Sequence, residues 1–189
     1  IHANIAALDA VLADMPAVDR LICCGDIVEY YADPNEVCDR LRALSPLAVR
    51  GNHDAYVIGA LTPSPKRRAA YRTDWTRAAL RPDNLEWLKG LPTEQRMAES
   101  GREVLVHHAS PWDEETYLYP DSPLLDEVSL GRGEILLVGH THIPLCRPAG
   151  AGVIVNPGSV GQPRDWDPRA AYATIDLATG MVEHRRVAY

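Results

Sequence analysis

Four short apolar runs, each followed by residues of types that bind metals, constrain this chain more than any other sequence feature. The runs are residues 21–24, 47–49, 104–106 and 136–138. The polar residues that follow them are Asp26, Asn52 with His53, His107 with His108, and His140 with His142. Short apolar runs that stop at turn residues are typical of buried strands. Because ligands in open α/β sheets bind at the carboxyl ends of strands, we expect these side chains to meet there.

The remaining patterns predict a layered α/β protein of one domain, residues 1–189. Helical spacing of apolar residues predicts a helix over 4–15, and Asp33-Pro34 opens a second with Asp33 as its cap. Residues 66–91 are predicted as two helices split at Pro82, and 61–80 as a cap or flexible insertion. Predicted strands cover 18–24, 47–50, 103–108, 135–138, 153–155, 170–176 and 181–187, with a hairpin turn at 178–180. Alternating strands and helices followed by a strand-rich tail indicate helices packed outside one or two sheets.

Composition excludes several classes of function. The formal net charge is -7 among 189 residues, which does not favour binding to a nucleic-acid duplex. The sequence has no apolar run long enough to span a bilayer, so no membrane partner is expected. The four cysteines form no C-x-x-C pair, which argues against a thiolate zinc site. A reduced, cytoplasmic setting is the simplest expectation.

The chemistry of the strand-end residues indicates a metal site, although each piece has an ordinary structural reading. Gly25-Asp26 alone is a turn signal, and a single histidine after a strand is more often a hydrogen-bonded surface residue. The segment 139–142 is more specific, because two imidazoles flank one threonine after a glycine. Six of the seven histidines lie in these segments or beside the first helix, and only His184 does not. A mixed carboxylate, amide and imidazole set suits manganese, iron, zinc or cobalt.

In this order, the segments resemble the signature of the calcineurin-like metallophosphoesterase superfamily. The motifs that carry the resemblance are Ile1-His2-Ala3-Asn4, Gly25-Asp26-Ile27-Val28, Gly51-Asn52-His53-Asp54, His108-Ala109-Ser110-Pro111 and Gly139-His140-Thr141-His142. Residues 156–164, which begin Asn156-Pro157-Gly158-Ser159, resemble a small bacterial and archaeal branch related to diadenosine tetraphosphatases. The resemblance extends to about Tyr172. It implies a four-layer α-β-β-α sandwich.

The resemblance also implies a dinuclear metal centre. It assigns the first ion to His2, Asp26 and His142. It makes Asp26 the bridge to a second ion, which Asn52, His108 and His140 complete. The two divalent ions would be manganese, iron, zinc, cobalt or nickel, and they would share a bridging hydroxide that attacks phosphorus.

In the same family pattern, His53 binds no metal and donates a hydrogen bond or a proton to the leaving oxygen. Asp54 either orients His53 or caps a helix, and the sequence does not choose between these roles. The implied substrate is a small phosphorylated molecule such as a nucleotide. It could be a phosphodiester, a phosphomonoester or a dinucleoside polyphosphate.

Two details of the family pattern need attention in this chain. The first family motif is Asp-x-His, and its Asp would precede Ile1, as would an apolar strand; we therefore expect a truncated first strand and a first metal site that depends on that Asp. Strand alternation puts His107 and His108 on opposite faces, so that only one of them can face the site. The family pattern selects His108.

The sequence identifies no substrate-binding residue and no oligomer interface. Arg50, Arg164 and Arg169 could each contact phosphate, because a guanidinium matches phosphate oxygens, or could equally be surface residues. Likewise, Tyr30, Tyr31 and Trp112 could stack on a base or line the edge of the core.

Two functions outside catalysis remain open at this point. The first is a catalytically weak or inactive scaffold protein on the same fold, and the second is a zinc storage or sensing protein. Retention of an imidazole cluster argues against a scaffold, since unpaired buried polar groups cost stability. The expected function is therefore metal-dependent hydrolysis of a phosphate ester.

Overall fold

The chain forms six α-helices, nine strands and one 3₁₀ helix in the computed structural model, which describes residues 1–189. In chain order they are α1 (Ile5–Asp14), β1 (Ile22–Cys23), α2 (Pro34–Leu44), β2 (Leu47–Ala48), α3 (Asn52–Ile58), α4 (Pro65–Tyr71), α5 (Thr73–Ala79), α6 (Pro82–Lys89), β3 (Glu94–Glu99), β4 (Arg102–His107), the 3₁₀ helix (Pro123–Glu127), β5 (Glu134–Leu137), β6 (Leu145–Ala149), β7 (Gly152–Asn156), β8 (Ala170–Asp176) and β9 (Met181–Val187). No helix has the length and apolar character needed to cross a membrane.

A five-stranded mixed sheet lies at the centre, with strand order β3-β4-β5-β7-β6. β4, β5 and β7 are parallel to one another, whereas β3 and β6 pair antiparallel at the two edges. The carboxyl ends of the three central strands therefore share one edge of the sheet. A parallel β1–β2 pair and an antiparallel β8–β9 hairpin form two smaller sheets.

The side chains of the central sheet alternate between two apolar layers, as strand geometry requires. On β5, Ile135 and Leu137 pack in the layer that also contains Val49 and, partly buried, Ile22 and Ile175. Leu136 and Val138 point to the other face, where they pack with residues of the 3₁₀ helix and its flanking loops. The apolar cluster between the large sheet and the small sheets is thus separate from the cluster on the opposite face of the large sheet.

Helices cover the outer face of the small sheets, which completes the sandwich. α1 packs on β8 through Ala7 and Val11 against Ala170 and Tyr172. α2, α3 and α6 enclose the largest apolar cluster, which includes Leu88. The expectation of a four-layer α-β-β-α arrangement is confirmed, and the 3₁₀ helix is the helical part of the fourth layer.

Several predicted elements differ in extent or number from those observed. Residues 66–91 form parts of three helices rather than two, because the chain turns at Arg72, which has φ of 62°. The predicted strands at 18–24 and 47–50 shorten to two-residue strands. Asp33 does occupy the N-cap of α2, but its side chain makes no capping hydrogen bond. The hairpin turn at 178–180 is confirmed by the bond from Gly180 N to Asp176 O.

The segment 61–80 is helical, and it packs over α3 rather than extending away from the domain. Arg77 of α5 donates to the carbonyls of Tyr56 and Val57 near the end of α3. The backbone N–H of Tyr30 donates to the carbonyl of Tyr71 at 3.3 Å. These bonds make the segment a cap beside the candidate site, which we call the cap segment.

Candidate metal centre and active site

All six expected metal ligands meet at the carboxyl-terminal edge of the strands. Asp26 follows β1, Asn52 opens α3 after β2, and His108 follows β4. His140 and His142 follow β5, and His2 lies just before α1. Every one of these side chains is buried. The convergence predicted from four strand ends is therefore present.

The backbone at these positions is held in an unfavourable conformation. His2, Asp26, His140 and His142 have φ values of 60°, 53°, 63° and 61°. Left-handed backbone costs a residue with a side chain roughly 1–3 kcal/mol, and it persists where the surroundings impose it. Four of the six candidate ligands lie in this conformation, as do seven other non-glycine residues of the chain, so it agrees with a functional site and does not by itself identify one.

The first half of the cluster is built from His2, His142 and Asp26. The Nε2 atoms of the two histidines lie 3.0 Å apart, and His2 Nε2 lies 3.5 Å from Asp26 Oδ2. The opposite ring nitrogens face backbone carbonyls: His2 Nδ1 is 3.2 Å from the oxygen of Val28, and His142 Nδ1 is 2.6 Å from that of Gln162. A carbonyl accepts only, so in the neutral rings both Nδ1 atoms carry the proton and both Nε2 atoms present lone pairs.

The second half repeats this pattern around the other carboxylate oxygen. His108 Nε2 lies 3.0 Å from Asn52 Oδ1, 3.2 Å from His140 Nδ1 and 3.3 Å from Asp26 Oδ1. His108 Nδ1 faces the carbonyl of Cys24 at 2.7 Å, and His140 Nε2 faces that of Glu115 at 3.0 Å. The backbone again fixes the outer nitrogen of each neutral ring as the donor.

The donor set fits a pair of cations that share Asp26. Lone pairs from four imidazoles, one amide and one carboxylate converge on a buried space, and Asp26 Oδ2 has no hydrogen-bond partner. Acceptors that face acceptors repel one another unless a proton or a cation lies between them. In two groups the ligand atoms all lie within 4.8 Å of one another, and both groups include Asp26: His2-Asp26-His142 and Asp26-His108-His140. Outer ring nitrogens bonded to carbonyls are the usual support of metal-ligating histidines.

The protonation states agree with this donor set. Burial lowers the pKa of His140 and of His142 to about 3, and it lowers that of His2 as well. Burial would also lower the pKa of His108, but the adjacent Asp26 carboxylate raises it above the ordinary value. Burial opposes ionisation of Asp26, yet the neighbouring His108 and His53 hold its pKa well below the usual range. Three imidazoles are therefore unprotonated and free to bind metal near neutral pH. Only at His108 does a metal ion compete with a proton for the ring nitrogen.

Strand alternation separates His107 from His108 as predicted. His108 lies in line with the inward-facing Val104 and Val106 of β4 and is buried, whereas His107 is half-buried and lies 3.9 Å from Glu94. The cluster therefore includes His108 and excludes its neighbour.

His53 lies beside the cluster and is held by a residue that the sequence did not single out. His53 Nδ1 is 2.5 Å from Oε2 of Glu29, and both side chains are buried. Burial raises the pKa of Glu29, although His53 opposes the shift. An acidic residue after the apolar pair at 27–28 was the available signal, since an acid is rarely buried without a partner. Glu29 therefore orients His53.

Asp54 caps a helix rather than orienting His53. Its carboxylate accepts from the backbone N–H groups of Ile27 and Val28 through Oδ1 and of Gly51 through Oδ2, at 2.9, 3.1 and 3.0 Å. These bonds attach the start of α3 to the loop that contains Asp26. Burial, followed by repulsion from Asp26, raises the pKa of Asp54 to about 6.

Only one of the three candidate phosphate-binding arginines lies near the cluster without a carboxylate partner. Arg50 pairs with Glu114, and Arg169 pairs with Asp167. Arg164 is exposed, and it donates to the hydroxyl of Tyr30 at 3.1 Å and to Gln162 Oε1 at 2.7 Å. Its guanidinium charge therefore remains available beside the site.

Comparisons with known proteins agree with this geometry. The family model for the calcineurin-like phosphoesterase superfamily domain matches residues 1–180. A crystal structure of a metallophosphoesterase from Sphaerobacter thermophilus is 34% identical, with a TM-score of 0.81 over 100% of this chain and 85% of that one. An uncharacterised protein of Methanocaldococcus jannaschii is 35% identical over 100% of this chain and 85% of its own length. The phosphodiesterase YfcE of Escherichia coli is 26% identical over 93% of this chain and 83% of its own length.

Proposed function

Because the chain belongs to the calcineurin-like phosphoesterase superfamily, we propose that it is a metal-dependent phosphohydrolase acting on a small phosphate ester, in the first instance a phosphodiester. The observation that carries the proposal is the convergence of ligand atoms on the buried carboxylate of Asp26, whose Oδ2 has no hydrogen-bond partner. A cluster of this kind has no use in a scaffold protein, since it costs stability without a cation. The similarity to the YfcE phosphodiesterase supports the diester.

The proposed ligand assignment follows the two halves of the cluster. His2, Asp26 and His142 would hold one divalent ion, and Asp26 would also contact a second. Asn52, His108 and His140 would complete the second site. Bound divalent ions would neutralise phosphoryl oxygens and lower the pKa of a water enough to make it the nucleophile at neutral pH. The ligands mix oxygen and nitrogen, which suits manganese, iron, zinc, cobalt or nickel, and manganese is the first ion to test.

His53 is proposed to act on the leaving group. It contributes no atom to either ligand group, and its Nδ1 is engaged by Glu29. Nε2 is therefore the nitrogen available to donate a proton to the departing oxygen. Proton transfer by a positioned side chain contributes about 10²–10⁴-fold to rate.

We further propose that residues 1–189 work as one domain in the cytoplasm. All four cysteines are free thiols, which suits a reducing compartment. The small phosphorylated substrate is the one partner that the site supports.

The test measures hydrolysis of bis(p-nitrophenyl) phosphate and p-nitrophenyl phosphate with manganese or with a chelator. His108→Ala serves as the ligand variant and His107→Ala as its matched control, because the two residues are adjacent and their side chains point in opposite directions at the end of β4. We expect turnover with manganese, loss of turnover with chelator, loss in His108→Ala and retention in His107→Ala. A higher kcat/KM for the diester would support the phosphodiesterase assignment.

Other outcomes separate the alternatives. No turnover with manganese, zinc, iron, cobalt or nickel, together with no bound metal by elemental analysis, would overturn the enzyme and favour a scaffold. Tight metal binding without turnover would favour metal storage or sensing. Loss of activity in His107→Ala but not in His108→Ala would show that the ligand assignment is wrong by one residue.

A further inference from the structure

Three tyrosines, which we call the tyrosine rim, pack against histidines of the candidate site, and the proposed chemistry does not account for them. On one side, Tyr30 and Tyr71 pack against His53 with ring centroids 4.9 and 4.4 Å away. On the other side, the ring of Tyr117 lies 3.8 Å from that of His140. The candidate metal ligands are buried, whereas these three tyrosines are half-buried. Each of these three residues is therefore partly accessible to solvent, unlike the candidate ligands.

The cap segment places Tyr71 in this rim. Tyr71 is the last residue of α4, and Arg72, in the left-handed conformation, turns the chain directly after it. Its ring also lies 5.3 Å from Tyr30 and 6.1 Å from Tyr56, nearly parallel to the latter at 12°. The cap segment supplies no ligand to the cluster, so its contribution to the site is this aromatic surface.

The opposite wall comes from the loop after β4. Tyr119 stacks on Tyr117, with ring centroids 5.2 Å apart and an angle of 4° between the ring planes. This contact holds the Tyr117 ring in place. Burial raises the pKa of Tyr117; Arg164 opposes that shift, and Tyr71 adds to it. The two walls are thus close enough to influence each other, and the guanidinium of Arg164 lies within reach of both.

Aromatic walls combined with a free guanidinium match a ligand that joins a planar ring to a phosphate. Rings of this kind bind bases through stacking, which tolerates any base because each has a π-face. The centre of Arg164 lies 5.9 Å from the Tyr30 centroid, a position from which it can contact both a ring and a phosphate oxygen. A phosphate ester without a planar group would leave the rim unused.

We propose that the tyrosine rim, with Tyr71 and Tyr117 as its walls and Arg164 as the phosphate anchor, binds the base of a nucleotide-type phosphoester. This inference rests on the proposed function, because it assigns the substrate class of the same site. It makes the cap segment a specificity element.

The test compares the binding of adenosine 5′-monophosphate and ribose 5-phosphate to the manganese-loaded protein by calorimetry. The two ligands share the sugar and phosphate and differ by the base. Stacking on an aromatic side chain corresponds to about 5- to 150-fold in affinity per base, so we expect at least about fivefold tighter binding of the nucleotide. In Tyr71→Leu and in Tyr117→Leu, the affinity ratio of the nucleotide to ribose 5-phosphate should fall most of the way to one. In Tyr71→Phe the ratio should be unchanged. Trp75→Leu is the matched control, because Trp75 lies in the same cap segment but packs against Arg72.

Arg164→Met provides an independent reading. It should weaken both ligands by a similar factor, since it acts on the phosphate that they share. Equal affinity of the two ligands for the unmodified protein would overturn the proposal even if a leucine variant failed to fold. Equal weakening of both ligands by Tyr71→Leu would also overturn it. Turnover of bis(p-nitrophenyl) phosphate is measured separately, so that loss of the base preference and loss of the enzyme function are distinguished.

Discussion

The contact between Glu29 and His53 gives a quantitative prediction for catalysis. Both side chains are buried and His53 Nδ1 lies 2.5 Å from Glu29 Oε2, so an ionised Glu29 accepts a charge-assisted hydrogen bond away from solvent. Hydrogen bonds to charged groups contribute about 1.5–3 kcal/mol, which corresponds to roughly 10- to 150-fold in rate if the whole effect reaches the transition state. We expect Glu29→Gln to lower kcat within that range, with KM nearly unchanged, and His53→Ala to lower it by about 10²–10⁴-fold.

A double-mutant cycle separates positioning from an independent role of Glu29. If Glu29 acts only through His53, the double variant should be no slower than His53→Ala alone. The assay is steady-state kinetics on bis(p-nitrophenyl) phosphate at saturating manganese, with metal content measured for each variant. Multiplication of the two single effects, or loss of metal from Glu29→Gln, would refute the reasoning.

Three further predictions concern the metal cluster. The apparent manganese affinity, measured by titration calorimetry, should fall about tenfold per pH unit below the raised pKa of His108 and no more steeply, because two other imidazoles have pKa values of about 3. Removing manganese from a solution at 100 times its Kd should lower Tm by about 5–11 °C in a thermal scan, since such binding adds about 2.7 kcal/mol. Gly51→Ala should abolish metal binding, because the new Cβ would lie 2.2 Å from Asp26 Oδ1, whereas Gly90→Ala, with its nearest contact at 3.4 Å, should not.

The sequence predicted the cluster well because its signal is local and repeated. Five of the six ligands follow a short apolar run, and the parallel pairing of β1 with β2 and of β4 with β5 brings the ends of those runs together in pairs. The choice between His107 and His108 needed only the alternation of a strand. The role of Asp54 as a cap could be recognised only from the structure, because its three backbone partners come from two separate loops.

Other elements lacked a readable pattern. β3 is mostly exposed and carries Glu94 and Arg96, so that it shows no apolar alternation. β6 contains Pro148, which is tolerated because the strand is at the edge of the sheet. α3 begins inside the metal-binding motif at Asn52 and has seven residues, too short for helical periodicity to emerge. Glu29 was missed because its partner is distant in sequence.

Part of the tyrosine rim is carried by a segment that holds no candidate metal ligand. Tyr71 belongs to the cap segment, which contributes no side chain to the two ligand groups, whereas Tyr117 lies in the loop after β4 that also carries His108. Substitutions in the cap segment can therefore change the aromatic surface beside the site without removing a candidate metal ligand. On this scaffold, selection or redesign can act on substrate preference through the cap segment while every candidate metal ligand stays in place.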